Sequence, residues 1–135
     1  MGIVVDTGVF IQWERQGKLL EKHLAQLEQP GYIAVVTASE LLVGVHRANT
    51  ESRRENRSRF VEAILTRFSI LEIDLLVARK HASLQATLSQ NGTSIGYHDL
   101  WIAATAIAIG HAIMTTNERE FARVPNLEVI PIKTE

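Results

Sequence analysis

Ile3-Val4-Val5-Asp6-Thr7-Gly8 opens the chain with a β-branched run that stops at an acid and a turn. Three apolar residues in a row, with no polar alternation, read as a strand buried on both faces. Strands of that kind belong to parallel sheets covered by helices. Downstream, Val9–Arg15 reads as a short helix, and Lys18–Glu28 as a longer one ended by Pro30-Gly31. Tyr32–Val36 is strand-like. Thr37-Ala38-Ser39-Glu40 then matches a capping box, a hydroxyl at the helix start and a carboxylate three residues on. Ile70–Ile73 is a further strand, and Asp74 is placed to cap a helix over Leu75–Gln90 that Asn91-Gly92 closes. Asp99–Ile109 reads as a helix opened by its aspartate, Ala112–Met114 as a strand, Glu118–Ala122 as a helical turn and Val129–Ile130 as a last strand. Strands alternate with helices throughout, which predicts an α/β fold: a three-layer α/β/α domain with a mainly parallel central sheet.

The composition supports one such domain over residues 1–135. Hydrophobic residues make up 46% and charged residues 21%, which excludes disorder and predicts a packed core. There is no cysteine, so disulfides, thiolate zinc sites, iron–sulfur clusters and a cysteine nucleophile are excluded. The net charge of -1, from 14 Lys+Arg and 15 Asp+Glu, does not suit binding of nucleic acid by bulk charge. The start lacks the basic region of a signal peptide. Leu100–Asn117 carries no charged residue, but Gly110-His111 breaks it well short of the ~20 apolar residues that span a bilayer. A cytoplasmic protein without membrane contact is expected.

Chemistry is concentrated in few acids. Only three of the fifteen are aspartates, and Asp6 and Asp99 sit among apolar residues, as does Glu40 before Leu41-Leu42-Val43. Parallel sheets bind ligands at the carboxyl ends of their strands. Asp6 and Asn117 fall at such ends, and Glu40 and Asp99 open helices near the same edge. Asp99 as a helix cap, or Glu40 as the partner of Thr37, would be structural roles; an acid ending a buried strand is costly without a partner. No Lys or Arg lies within eight residues of Asp6, or within eleven before Asp99. Carboxylates converging without cations repel and rise in pKa. Oxygen-preferring Mg²⁺ or Mn²⁺ would relieve that repulsion.

Other signals are weaker. Arg47, Arg53, Arg54, Arg57, Arg59 and Arg67, against Glu51, Glu55 and Glu62, give residues 47–67 a charge of +3. Arg47, Arg53, Arg54 and Arg57 are candidate contacts for the phosphates of a nucleic acid; a solvated helix face is the alternative. Gly92-Thr93-Ser94-Ile95-Gly96 spells a nucleophile elbow, but a polar helix end precedes it where that motif needs a strand. The five histidines show no zinc-binding spacing. Phe10, Trp13 and Trp101 have apolar neighbours and are expected in the core or at a subunit interface.

Four blocks in order carry a resemblance: Ile3-Val4-Val5-Asp6-Thr7, Thr37-Ala38-Ser39-Glu40-Leu41-Leu42-Val43-Gly44, His98-Asp99-Leu100-Trp101-Ile102-Ala103-Ala104-Thr105-Ala106, and Thr115-Thr116-Asn117-Glu118-Arg119-Glu120-Phe121. Together they resemble a PIN-domain ribonuclease, specifically a VapC-type toxin of a toxin–antitoxin pair, over essentially the whole chain. The resemblance implies a metal-dependent endoribonuclease, usually a homodimer, held inactive by a cognate antitoxin. It implies that Asp6, Glu40 and Asp99 are the three acidic site residues, with Thr7 and Thr116 as supporting hydroxyls. Asn117 stands where many members carry a fourth aspartate, so it is a candidate ligand without the charge. Glu120 is expected on the surface or against its own helix.

Phosphodiester hydrolysis needs an activated water and stabilised charge on the phosphoryl and leaving oxygens. A carboxylate-held Mg²⁺ or Mn²⁺ can supply both. Asp6 and Asp99 are expected as the main ligands, with Glu40 completing the shell or acting as general base. Two other classes fit an acidic pocket: a receiver-like phosphoacceptor, although Ala112–Asn117 lacks the lysine it would need, and a non-catalytic PIN-like module that binds RNA or protein.

Overall fold

The computed structural model describes residues 1–132. Five strands form one sheet in the order β3-β2-β1-β4-β5: β1 (Ile3–Val5), β2 (Gly31–Ala34), β3 (Ser69–Leu71), β4 (Ala112–Thr115) and β5 (Val129–Pro131). Every pairing is parallel; Ile3 stands opposite both Gly31 and Ala112. The sheet is thus wholly parallel, and β1 is its centre, as an all-buried run demands.

Alternate residues of β1 feed two cores. Ile3 and Val5 join Val9, Phe10 and Trp13 of α1 (Thr7–Gln16), residues of α3 (Val35–His46) such as Leu41, and Ile64 of α4 (Glu51–Arg67). Val4 faces the other way, onto Leu84 and Leu88 of α5 (Leu75–Gln90), Ile102 and Ala106 of α6 (Tyr97–Ala108), and Phe121 of α7 (Glu118–Phe121). This is the expected three-layer arrangement. Phe10 and Trp13 are in the core, Phe10 meeting Phe68 edge-on at 5.2 Å, and Trp101 is partly buried and stacked on His81.

Asp74 caps α5 by accepting from Val77 N at 2.9 Å, and Gly92 takes the left-handed conformation that ends it, φ 67°. Several boundaries differ from the sequence reading. The helix read over Lys18–Glu28 shrinks to α2, Leu20–Leu24. The capping box does not form: Ala34 is the N-cap of α3, so Val35 and Val36 are helical and Thr37 and Glu40 lie inside the helix. A hydroxyl and a carboxylate three residues apart also share one helix face, and that is the use made of them. Asp99 is likewise not a cap; Gly96 precedes α6 and Asp99 sits in its first turn. Both acids therefore project from inside helices.

Among the described residues, no helix is long and apolar enough to cross a membrane.

Candidate active site

The strand order reverses at β1: the chain moves outward to β2 and β3, then returns to the opposite side with β4 and β5. A crevice at the carboxyl edge is the usual consequence of such a reversal. Asp6 leaves β1 at that point and caps α1, its Oδ1 accepting from Thr7 N at 2.8 Å. Its Oδ2 accepts from Thr115 Oγ1, the last residue of β4, at 2.8 Å. Asp6 is only 5% exposed. Burial raises its pKa; the bonds from Thr115 and Thr7 oppose this, while the charges of Glu40 and Glu120 add to it.

Glu40 arrives from α3. Its Oε1 accepts from Thr7 Oγ1 at 2.7 Å, and the same hydroxyl lies 3.1 Å from Thr37 Oγ1. Its Oε2 stands 3.3 Å from His98 Nδ1. Asp99, one residue on, has its pKa pushed up to about 7, first by burial, then by the charge of Asp6, by the charge of Glu120 and a hydrogen bond with it, and by Glu40.

Glu120, half-buried, does bond the start of its own helix as expected, and it also joins the site. Its Oε1 accepts from Gly96 N and its Oε2 from Asn117 Nδ2. A Cβ added at Gly96 would lie 3.2 Å from both Asp99 Oδ2 and Glu120 Oε1, close enough that these carboxylates would have to shift by a few tenths of an ångström. Asn117 thus reaches the cluster as a donor to Glu120, while its backbone N–H donates to Thr115 Oγ1. The spacing of Asn117 and Glu120, nearly one helical turn, was the available signal.

The supporting hydroxyls divide differently from expectation. Thr7 does touch the cluster. The hydroxyl on Asp6 belongs to Thr115, whereas Thr116 Oγ1 packs over Gly8, 2.6 Å from where a Cβ would stand. In a strand, neighbouring residues point to opposite faces, so a shift of one residue decides which threonine meets the acid.

Arg53 and Arg54 make local contacts near the start of α4, whereas Arg57 approaches the site. Arg47 ends α3, Arg53 Nη1 donates to Asn49 Oδ1, and Arg54 Nη2 donates to the Ala48 carbonyl. Arg57 Nη1 donates to the Gly44 carbonyl, its Nε lies 3.5 Å from Glu14, and it lines a groove leading from Thr7 and Glu40.

The donor set fits a hard divalent cation: carboxylate oxygens close enough that the neighbouring charges help to raise the pKa of Asp6 and Asp99, with no Lys or Arg ion-paired to them among the described residues. As the side chains stand, no three His, Asp or Glu groups among the described residues form a ready-made ion site.

The PIN domain family model matches residues 3–127. Ribonuclease VapC of Rickettsia bellii is 36% identical over 132 residues, covering 98% of this chain and 97% of its own length. The tRNA(fMet)-specific endonuclease VapC of Salmonella typhimurium is 30% identical over 97 residues, 72% of this chain and 71% of its own. Among solved structures, VapBC2 from Rickettsia felis bound to a DNA fragment from their promoter superposes with a TM-score of 0.88 at 25% identity, covering 98% of this chain and 100% of that one. With the four sequence blocks set around one crevice, the chain belongs to the PIN domain family, among the VapC ribonucleases.

Proposed function

We propose that the chain is a Mg²⁺- or Mn²⁺-dependent endoribonuclease, the toxin of a toxin–antitoxin pair, working as a homodimer in the cytoplasm and restrained by a cognate antitoxin. The observation that carries the chemistry is the meeting of Asp6, Glu40 and Asp99 from three separate elements at the strand-order reversal, joined by Glu120. The antitoxin follows from the relatives, whose solved form in Rickettsia felis is a VapBC complex.

A divalent cation bound by Asp6 and Asp99, with Glu40 and Asn117 as further candidates, would polarise the phosphoryl oxygens and acidify a water. The chain's own residues supply orientation and proton handling. Thr115 and Thr7 N hold the two oxygens of Asp6 in fixed directions. Thr7 Oγ1 holds one oxygen of Glu40, leaving the other, beside His98, to take the proton of the attacking water. Asp99 must release its proton to act as a ligand, so cation binding, and with it activity, should strengthen as pH rises.

The test is cleavage of total RNA and of purified tRNA by wild type and Asp99→Asn, each with Mn²⁺ and with EDTA. Cleavage only by wild type with metal supports the reading. Equal cleavage by both proteins overturns the assignment. No cleavage of either RNA by pure wild type with Mn²⁺ favours the non-catalytic module.

A further inference from the structure

A groove of about 400 Å³ opens directly off the carboxylate cluster, lined by Ser94, Gly96, Asn117, Arg119, Glu120 and Arg123. Gly96 and Glu120 belong to both groove and cluster, since Gly96 N donates to Glu120 and stands against Asp99. The opposite wall carries guanidinium groups. Arg123 Nη1 donates to the Ser94 carbonyl at 2.8 Å, which fixes its plane on the loop before α6. Arg119 is exposed and makes no hydrogen bond or ion pair among the described residues.

The α4 arginines contrast with this. Arg53 and Arg54 are engaged by Asn49 and the Ala48 carbonyl. Arg57 reaches the crevice from the far side, but it is held by the Gly44 carbonyl and lies beside Glu14, which offsets its charge. An RNA strand whose scissile phosphate sits at four carboxyl groups needs cationic compensation for the adjoining phosphate. Unpaired guanidinium next to the reacting centre meets that need.

We propose that Arg119 and Arg123 form the subsite for the RNA phosphate neighbouring the scissile one, held in the groove between the α5–α6 loop and α7. The proposal rests on the ribonuclease reading and assigns its substrate contacts to this groove rather than to residues 47–57. Arg123, already anchored, sets the position of the phosphate, and Arg119 closes on it from solvent.

The experiment measures binding of a short, fluorescently labelled single-stranded RNA by anisotropy across a salt series. All proteins carry Asp99→Asn so that the RNA survives. Arg119→Gln and Arg123→Gln are each expected to weaken binding about tenfold and to reduce the slope of log affinity against log salt by about 0.7 per lost contact. Arg119→Lys should recover part of both, since it keeps the charge without the bidentate fork. Melting temperatures confirm that each variant is folded; Arg119 is exposed, so its variant isolates the contact even if Arg123→Gln loosens the loop. Affinity and slope unchanged in Arg119→Gln, or lost instead in Arg53→Gln with Arg54→Gln, overturn the proposal and leave the Arg119 groove to a protein partner. Cleavage by wild type with Mn²⁺ alongside such a result would retain the ribonuclease reading and reject only this subsite. Absence of both binding and cleavage would reject the two together.

Discussion

Thr7 Oγ1 donates to Glu40 Oε1 at 2.7 Å across 33 residues of sequence, tying the first turn of α1 to the interior of α3. Thr7 immediately follows Asp6, so one short stretch of backbone positions two of the acids. A hydrogen bond to a charged group contributes about 1.5–3 kcal/mol. Thr7→Val should therefore lower the melting temperature by several degrees and, with Glu40 no longer held, lower kcat about 10–100-fold, and Thr7→Ser should retain most of both. Steady-state cleavage by the two variants checks this; activity kept in Thr7→Val and lost in Thr7→Ser would show that the methyl group, not the hydroxyl, matters.

Thr115 gives Asp6 its buried side-chain donor. Thr115→Val keeps the shape and leaves a buried carboxylate oxygen unsatisfied, at a cost of about 1–3 kcal/mol when ionised. The variant should melt several degrees below wild type near neutral pH. The difference should fade in acid, where Asp6 is protonated and the missing donor matters less. Thermal melts at pH 8 and pH 4 measure it, and a deficit independent of pH would point to packing or to the lost acceptor of Asn117 N–H rather than to Asp6.

Asp99 has a pKa of about 7 in the fold against an ordinary 3.8. A raised value means that the folded chain keeps a proton that the unfolded chain releases. The associated stability is complete below about pH 4 and is lost as pH climbs through about 7. Allowing for partial exposure, the loss is about 1–2 kcal/mol, or roughly 5 °C in melting temperature. In EDTA, wild type should show this decline and Asp99→Asn should show a flatter profile. Parallel profiles for the two proteins would place the titration elsewhere.

A divalent cation competes for the same carboxylates. Mn²⁺ at about a hundred times its Kd should add about 2.7 kcal/mol to stability. The rise in melting temperature should be larger at pH 8 than at pH 6, with protons released on binding. Calorimetric titration in two buffers of different ionisation enthalpy counts those protons. Asp6→Asn should abolish the effect; retained binding in that variant would remove Asp6 from the ligand set.

Much of the architecture is legible in the chain itself. The unbroken Ile3–Val5 run dictates a central parallel strand, because nothing polar is present to face solvent. Asp74 and Gly92 mark the ends of α5 through local hydrogen bonding and a left-handed turn, which depend on few neighbours. Asp6 is conspicuous for a similar reason, as an acid at the end of a buried run.

What only the tertiary structure decided is partnership. Thr37 and Glu40 satisfy a local capping pattern in sequence, yet β2 runs straight into α3 and turns that spacing into a helix face aimed at Thr7. Thr115 rather than Thr116 meets Asp6 because β4 lies beside β1 in a register that one residue would invert. Glu120 enters the site because the loop at Gly96 passes close enough to donate a backbone N–H to it. The sequence determined the end of β1 at Asp6 and the ends of α5 at Asp74 and Gly92, since those preferences are set within a few residues. Which side chains converge was decided by strand order and register, which bring positions about a hundred residues apart within hydrogen-bonding distance.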